Sequence, residues 1–198
     1  MKFSELQNEA QKIYTKLRAE SERVRSEKEN IRERYSQKTA SDMCVEVDTT
    51  FKAFANACAD EFNSKVKACL SFQRATVEKA CAEPPTTEQV NLLSALQMRA
   101  EMVSENELAS LVSALAPNYQ AVTVLQALAK KSGKRLHLSD KYNFDALNTA
   151  LSEVELYLRE RVQNLRDFRQ HVQGAVFNPF FVEGYHDPIF DRYVSMFE

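Results

Sequence analysis

The chain has 198 residues, of which 44% are hydrophobic and 27% charged, and its 26 basic and 28 acidic side chains leave a net charge of −2. That length supports one domain, or one domain with an appendage, the apolar content excludes wholesale disorder, and the charge balance excludes a global pull toward nucleic acid or an anionic membrane. Three glycines and five prolines leave few turns, so long helices are expected and glycine-rich phosphate loops are not.

The opening Met1-Lys2-Phe3-Ser4-Glu5 is charged, which predicts no secretory leader. No run of about eighteen apolar residues occurs, so no membrane span is expected. A first helix is predicted over residues 3–36. Phe3, Ala10, Leu17, Val24 and Ile31 recur at seven-residue steps, a stripe that is useful only under another helix. Leu6 and Ile13 widen that stripe early, whereas Glu20, Glu27 and Arg34 make its second position polar later. The early half is therefore expected in a core. The later half is expected to project or touch one neighbour, which makes Val24 and Ile31 candidates for self-association or partner binding.

A second helix is predicted from Ser41, as N-cap, to Glu83, where Pro84-Pro85 stops it. Its apolar positions, from Met43 through Phe51, Phe54, Phe62 and Val66 to Cys69, recur about every 3.7 residues, the period of a straight bundle helix. It carries all four cysteines: Cys44, Cys58, Cys69 and Cys81. At about 1.5 Å per residue, neighbouring cysteines lie roughly 16–21 Å apart. That is too far for a disulfide and the wrong spacing for zinc, so buried thiols in a reducing cytoplasm are expected. Residues 1–83 thus read as a long helical hairpin.

Residues 84–138 read as a compact insertion of three short helices. The first spans Thr87 to Glu101. The second opens on the capping box Ser104-Glu105-Asn106-Glu107, with Val103 and Leu108 placed for a hydrophobic staple. The third follows Pro117, is capped by Asn118, and ends at Ser132 with Gly133 as C-cap. Lys130, Lys131, Lys134 and Arg135 form the tight basic cluster of the chain. They either complement a helix dipole or make a patch for phosphate or nucleic acid, without the interleaved aromatics of single-strand binders.

Residues 139–174 read as a third long helix packing on the hairpin, from about 140 to 173, with Phe144, Leu151, Leu158, Leu165 and Val172 in its seam and Gly174 at its end. Arg161 falls in that seam. It is either solvated or paired with Glu20 or Glu27 across antiparallel helices, which would fix their register. The final segment, 175–198, holds seven of the nineteen aromatics: Phe177, Phe180, Phe181, Tyr185, Phe190, Tyr193 and Phe197. Asn178-Pro179-Phe180-Phe181 and Asp187-Pro188-Ile189-Phe190 are similar turn starts, and the second opens a short helix to Phe197. The aromatics either fold back over the bundle or anchor a partner.

No segment alternates with period two. The fold class is therefore all-α: an elongated bundle of long amphipathic helices with a small helical insertion and an aromatic-rich C-terminal segment. His137, His171 and His186 belong to no catalytic or metal pattern, and HExxH, GxSxG, the Walker loop and CxxC are absent from the sequence. Neither enzyme activity nor a cofactor or metal is expected.

The stretch Met102-Val103-Ser104-Glu105-Asn106-Glu107-Leu108, continued by Asn118-Tyr119-Gln120-Ala121 and Leu125 to Gly133, resembles a pattern in uncharacterised helical proteins of bacteriophages and prophages of Gram-positive bacteria. The opening Phe3 to Ala10 is similar too. The resemblance covers about a quarter of the chain, implies a mobile-element origin and carries no site residues with it. The expected function is a non-catalytic role through helix-mediated protein contacts in the bacterial cytoplasm or on a virion, first as a structural or assembly factor, capsid-associated or scaffolding. The alternatives are an inhibitor of a host enzyme or defence complex, such as an anti-CRISPR, and a nucleic-acid-binding accessory protein.

Overall fold

The computed structural model describes residues 1–116, 118–139, 142–168, 179–181 and 187–198. Among these the protein is all-helical: α1 (Phe3–Arg34), α2 (Gln37–Ala82), α3 (Thr87–Met98), α4 (Glu105–Leu115), α5 (Tyr119–Lys131), α6 (Phe144–Arg166), a single 3-10 turn at Pro179–Phe181, and α7 (Pro188–Phe197). No helix among the described residues is long and apolar enough to cross a membrane. The chain divides into two compact units. Unit 1 is residues 1–71, 153–196 and 198, and unit 2 is 72–152 and 197. Both α2 and α6 contribute to each, so the division falls inside helices rather than at the prolines.

Two helix starts differ from the sequence reading. The second helix begins at Gln37, ahead of Ser41, because the Ser36 carbonyl already accepts from Ala40 N–H at 2.8 Å, leaving only Tyr35 and Ser36 between α1 and α2. The helix expected from residue 140 begins at Phe144, where Asn143 Oδ1 accepts from the N–H groups of Asp145 (3.1 Å) and Ala146 (3.3 Å). It ends at Arg166; Val172 and Gly174 lie outside the described residues.

In unit 1 the α1 seam packs along its whole length. Phe3, Leu6, Ala10, Ile13 and Leu17 are buried, and so are Val24 (1% exposed) and Ile31 (7%). Of the two expectations for the later half, projecting or touching one neighbour, the structure shows the second: Ile31 packs with Ala40, Cys44, Met43 and Val47 of α2. Between Val24 and Ile31, Lys28 lays its aliphatic stem in the same stripe and delivers Nζ to Asp48 at 2.6 Å. The seam therefore tolerates a lysine without losing its cover.

Glu9 ties α1 to α2 on the surface. Its carboxylate accepts from Lys12 (2.7 Å) and from Lys65 (2.8 Å), and these hydrogen bonds hold its pKa down at about 2, against an ordinary 4.5. A carboxyl held low when folded contributes stability that is fully present above its unfolded pKa and is lost as pH falls through the folded one. Glu9→Gln should therefore melt below the parent at pH 7, and the gap should close by about pH 2. Solvent and salt screening keep the gap below about 1 kcal/mol. Thermal melts at matched ionic strength check this.

Unit 2 has its own core: Leu93 and Leu96 of α3, Val103, Leu108, Val112 and Leu115 around α4, and Ala121, Val122, Leu125 and Ala129 of α5. Gly133 closes α5 with φ +67°, which lets Lys134 N–H reach Ala129 O (2.9 Å) and Gly133 N–H reach Lys130 O (3.1 Å), the paired bonds of a left-handed helix cap. Ser104 accepts from Glu107 N–H at 3.2 Å, but the return half of the predicted capping box is not made, since the Glu107 carboxylate pairs with Arg99 at 2.7 Å. A complete box stands instead at Thr86 and Gln89.

Candidate partner-docking surface

Four of the C-terminal aromatics lie in the core of unit 1. Phe180, Phe181, Phe190 and Tyr193 are buried. Phe190 meets Phe3 edge-on at 5.7 Å, stacks on Tyr157 at 6.0 Å and meets Phe180 at 4.9 Å, while Phe181 stacks on Tyr14 at 5.5 Å. The Tyr157 hydroxyl donates to Asp187, which also caps α7 by accepting from Ile189 N–H (3.1 Å) and Phe190 N–H (3.3 Å). Burial first, and then that carboxylate, raise the Tyr157 pKa. These four residues, like Val24 and Ile31, pack in the core of unit 1 at 0–7% exposure. Phe197 is half-buried, and Phe177 and Tyr185 lie outside the described residues.

Arg161 does not pair with Glu20 or Glu27. Its guanidinium lies over the Tyr157 ring, 4.1 Å from the centroid, and contacts Glu160 at 3.2 Å. Both glutamates bind Arg23 along α1, at 2.7 and 2.8 Å. The thiols are quiet: Cys44, Cys58 and Cys69 are buried and Cys81 half-buried. Burial raises the pKa values of Cys58 and Cys81, and pushes Cys69 up to about 12. Among the described residues no group of three or more His, Cys, Asp or Glu is placed to hold a metal, and His137 is exposed.

The basic cluster is split by the structure. Lys134 turns inward and its ammonium donates to the carbonyls of Ala100 and Glu101, both at 3.0 Å, and of Val103. It is a tether for the α3–α4 turn, and so is withdrawn from any phosphate site. Lys130, Lys131 and Arg135 remain exposed. Lys130 and Lys131 lie in the last turn of α5, where their charge complements the helix dipole.

That tether exposes a feature the sequence reading missed. α3 stops at Met98, and the chain turns over Arg99–Val103 before Ser104 starts α4. Met102 N–H bonds Arg99 O at 2.9 Å, Arg99 pairs with Glu107, and Arg135 N–H bonds Glu105 Oε1 at 3.0 Å. Leu96, Ala100 and Val103 face inward around a water-sized void shared with Leu108, Leu125 and Ala129. Met98 and Met102 face outward, 85% and 88% exposed. Two unbranched apolar side chains thus stand out, one on the last residue of α3 and one on the pinned turn after it, on the same end of unit 2 as three exposed cations. No family model, curated protein or solved structure matches this chain.

Proposed function

We propose that this chain acts by protein contact without catalysis, its helices holding the α3–α4 turn out to a protein partner. The observation that carries the reading is the near-complete exposure of Met98, at the end of α3, and Met102, on the following turn, which Lys134 pins through three of its carbonyls. Exposed methionines on a rigid support bind apolar clefts adaptably, because the thioether chain repacks to fit. The exposed Lys130, Lys131 and Arg135 nearby select a cleft with an acidic rim. An assembly role in a bacteriophage or prophage, scaffolding or capsid-associated, is the preferred form, supported by the resemblance over Met102–Leu108 and Asn118–Gly133.

The test is affinity capture from the native host with the wild-type chain and with Met98→Glu/Met102→Glu. Both positions are exposed, so melting temperatures should agree. The double variant should bind the captured partner at least ~10-fold more weakly, as expected when anchoring side chains are lost. A virion structural protein as partner supports assembly, and a host enzyme supports the inhibitor alternative. Equal capture by variant and wild type overturns the docking surface.

A further inference from the structure

We propose that Met98 and Met102 are a peroxide-oxidised modification site, the first sulfurs of this chain to react. Oxidation of sulfur in proteins follows access and, for cysteine, the thiolate fraction. Three cysteines are buried and the fourth half-buried, and burial raises the thiols of Cys58, Cys69 and Cys81. Met1, Met43 and Met196 are partly covered. Met98 and Met102 are nearly bare, at 85% and 88% exposure, within one turn of chain of each other.

The step balances with hydrogen peroxide as oxidant. The thioether sulfur attacks one peroxide oxygen, the O–O bond breaks, a sulfur–oxygen bond forms, and the other oxygen leaves as water after proton transfer. Sulfur loses two electrons and the peroxide gains them. The product is a polar sulfoxide, which a thiol-dependent methionine reductase reverses, with the oxygen leaving as water and two thiols becoming a disulfide. The fold should survive, because the tether at Lys134, the Ser104 cap and the Arg99–Glu107 pair use none of the sulfur atoms. A sulfoxide would also spoil the apolar anchor, a consequence that rests on the docking reading above.

The test is limiting hydrogen peroxide on the full-length protein, followed by peptide mapping and thiol titration after unfolding. Met98 and Met102 should each take up one oxygen several-fold faster than Met43 and Met196, with all four thiols still titratable. Met98→Leu/Met102→Leu should lose the fast phase and keep the parent melting temperature. Equal rates at Met43 or Met196, early loss of a thiol, or protection of Met98 and Met102 overturns the site. Capture by the oxidised protein separates the two readings. Capture lost in the glutamate variant but kept after oxidation defeats only the spoiling of the anchor by the sulfoxide, whereas capture kept in both defeats the docking surface and leaves the oxidation site standing.

Discussion

Phe190→Ala should destabilise unit 1 by about 3–5 kcal/mol, the cost of emptying a buried aromatic site that cannot collapse. The ring is 0% exposed, and its three aromatic neighbours come from α1, α6 and the 3-10 turn: Phe3, Tyr157 and Phe180. Removing it leaves each of those rings with one face or edge uncovered, which forfeits geometry-specific attraction as well as burial. In a chain of this size the loss should lower the melting temperature by on the order of 10 °C. Ile189→Ala, one position earlier and 56% exposed, is the control and should cost less than about 0.5 kcal/mol. Chemical denaturation of both variants reads the contrast. Equal effects would mean that α7 is not seated on unit 1 through Phe190.

That contrast also shows what the sequence could and could not say. Aromatic density after residue 176 was legible, and so was the Asp187-Pro188 start of α7. Whether the rings are core or interface was not, because the same residue types serve both. The decision rests on Phe3 and Tyr157 arriving from more than thirty residues away. The α1 seam was legible at every seventh position. Its cover at Val24 and Ile31 is not legible, because Glu20 and Glu27 make the second seam position polar and leave a projecting rod and a single-neighbour contact equally open. The buried position between Val24 and Ile31 is in fact filled by a lysine whose stem packs while its ammonium reaches Asp48. The box at Thr86 and Gln89 has the expected spacing and could have been found; the one at Ser104 was half right, since Arg99 competes for Glu107. Met98 and Met102 carried no usable signal. Methionine counts as core in any hydropathy pattern, and their exposure is set by Lys134, more than thirty residues on.

Asn118→Asp separates two accounts of the start of α5. If Asn118 were only an N-cap, aspartate would serve as well, since the two rank together at that position and the Ala121 N–H bond to Oδ1, at 2.9 Å, would persist. In the structure the other end of the amide matters as much. Asn118 Nδ2 donates to Glu83 O at 3.1 Å and Pro84 O at 3.0 Å, which satisfies carbonyls just past the end of α2 inside unit 2. Gln120 adds a bond to Cys81 O at 3.0 Å. A carboxylate at 118 would lose both donors and set its charge against two carbonyl oxygens in a buried site, at a cost of about 3 kcal/mol near neutral pH. Carbonyl neighbours and burial would raise the folded pKa of that carboxyl above its unfolded value of about 3.9. The folded variant then holds the proton more tightly than the unfolded chain. Its deficit should therefore be small below pH 3.9, where the neutral acid can still donate one bond, and should grow as pH rises through the folded pKa. Denaturant titrations of Asn118→Asp and the parent from acid to neutral pH read this directly. A deficit that stays flat with pH, or is absent near neutral pH, would show that capping alone explains the residue.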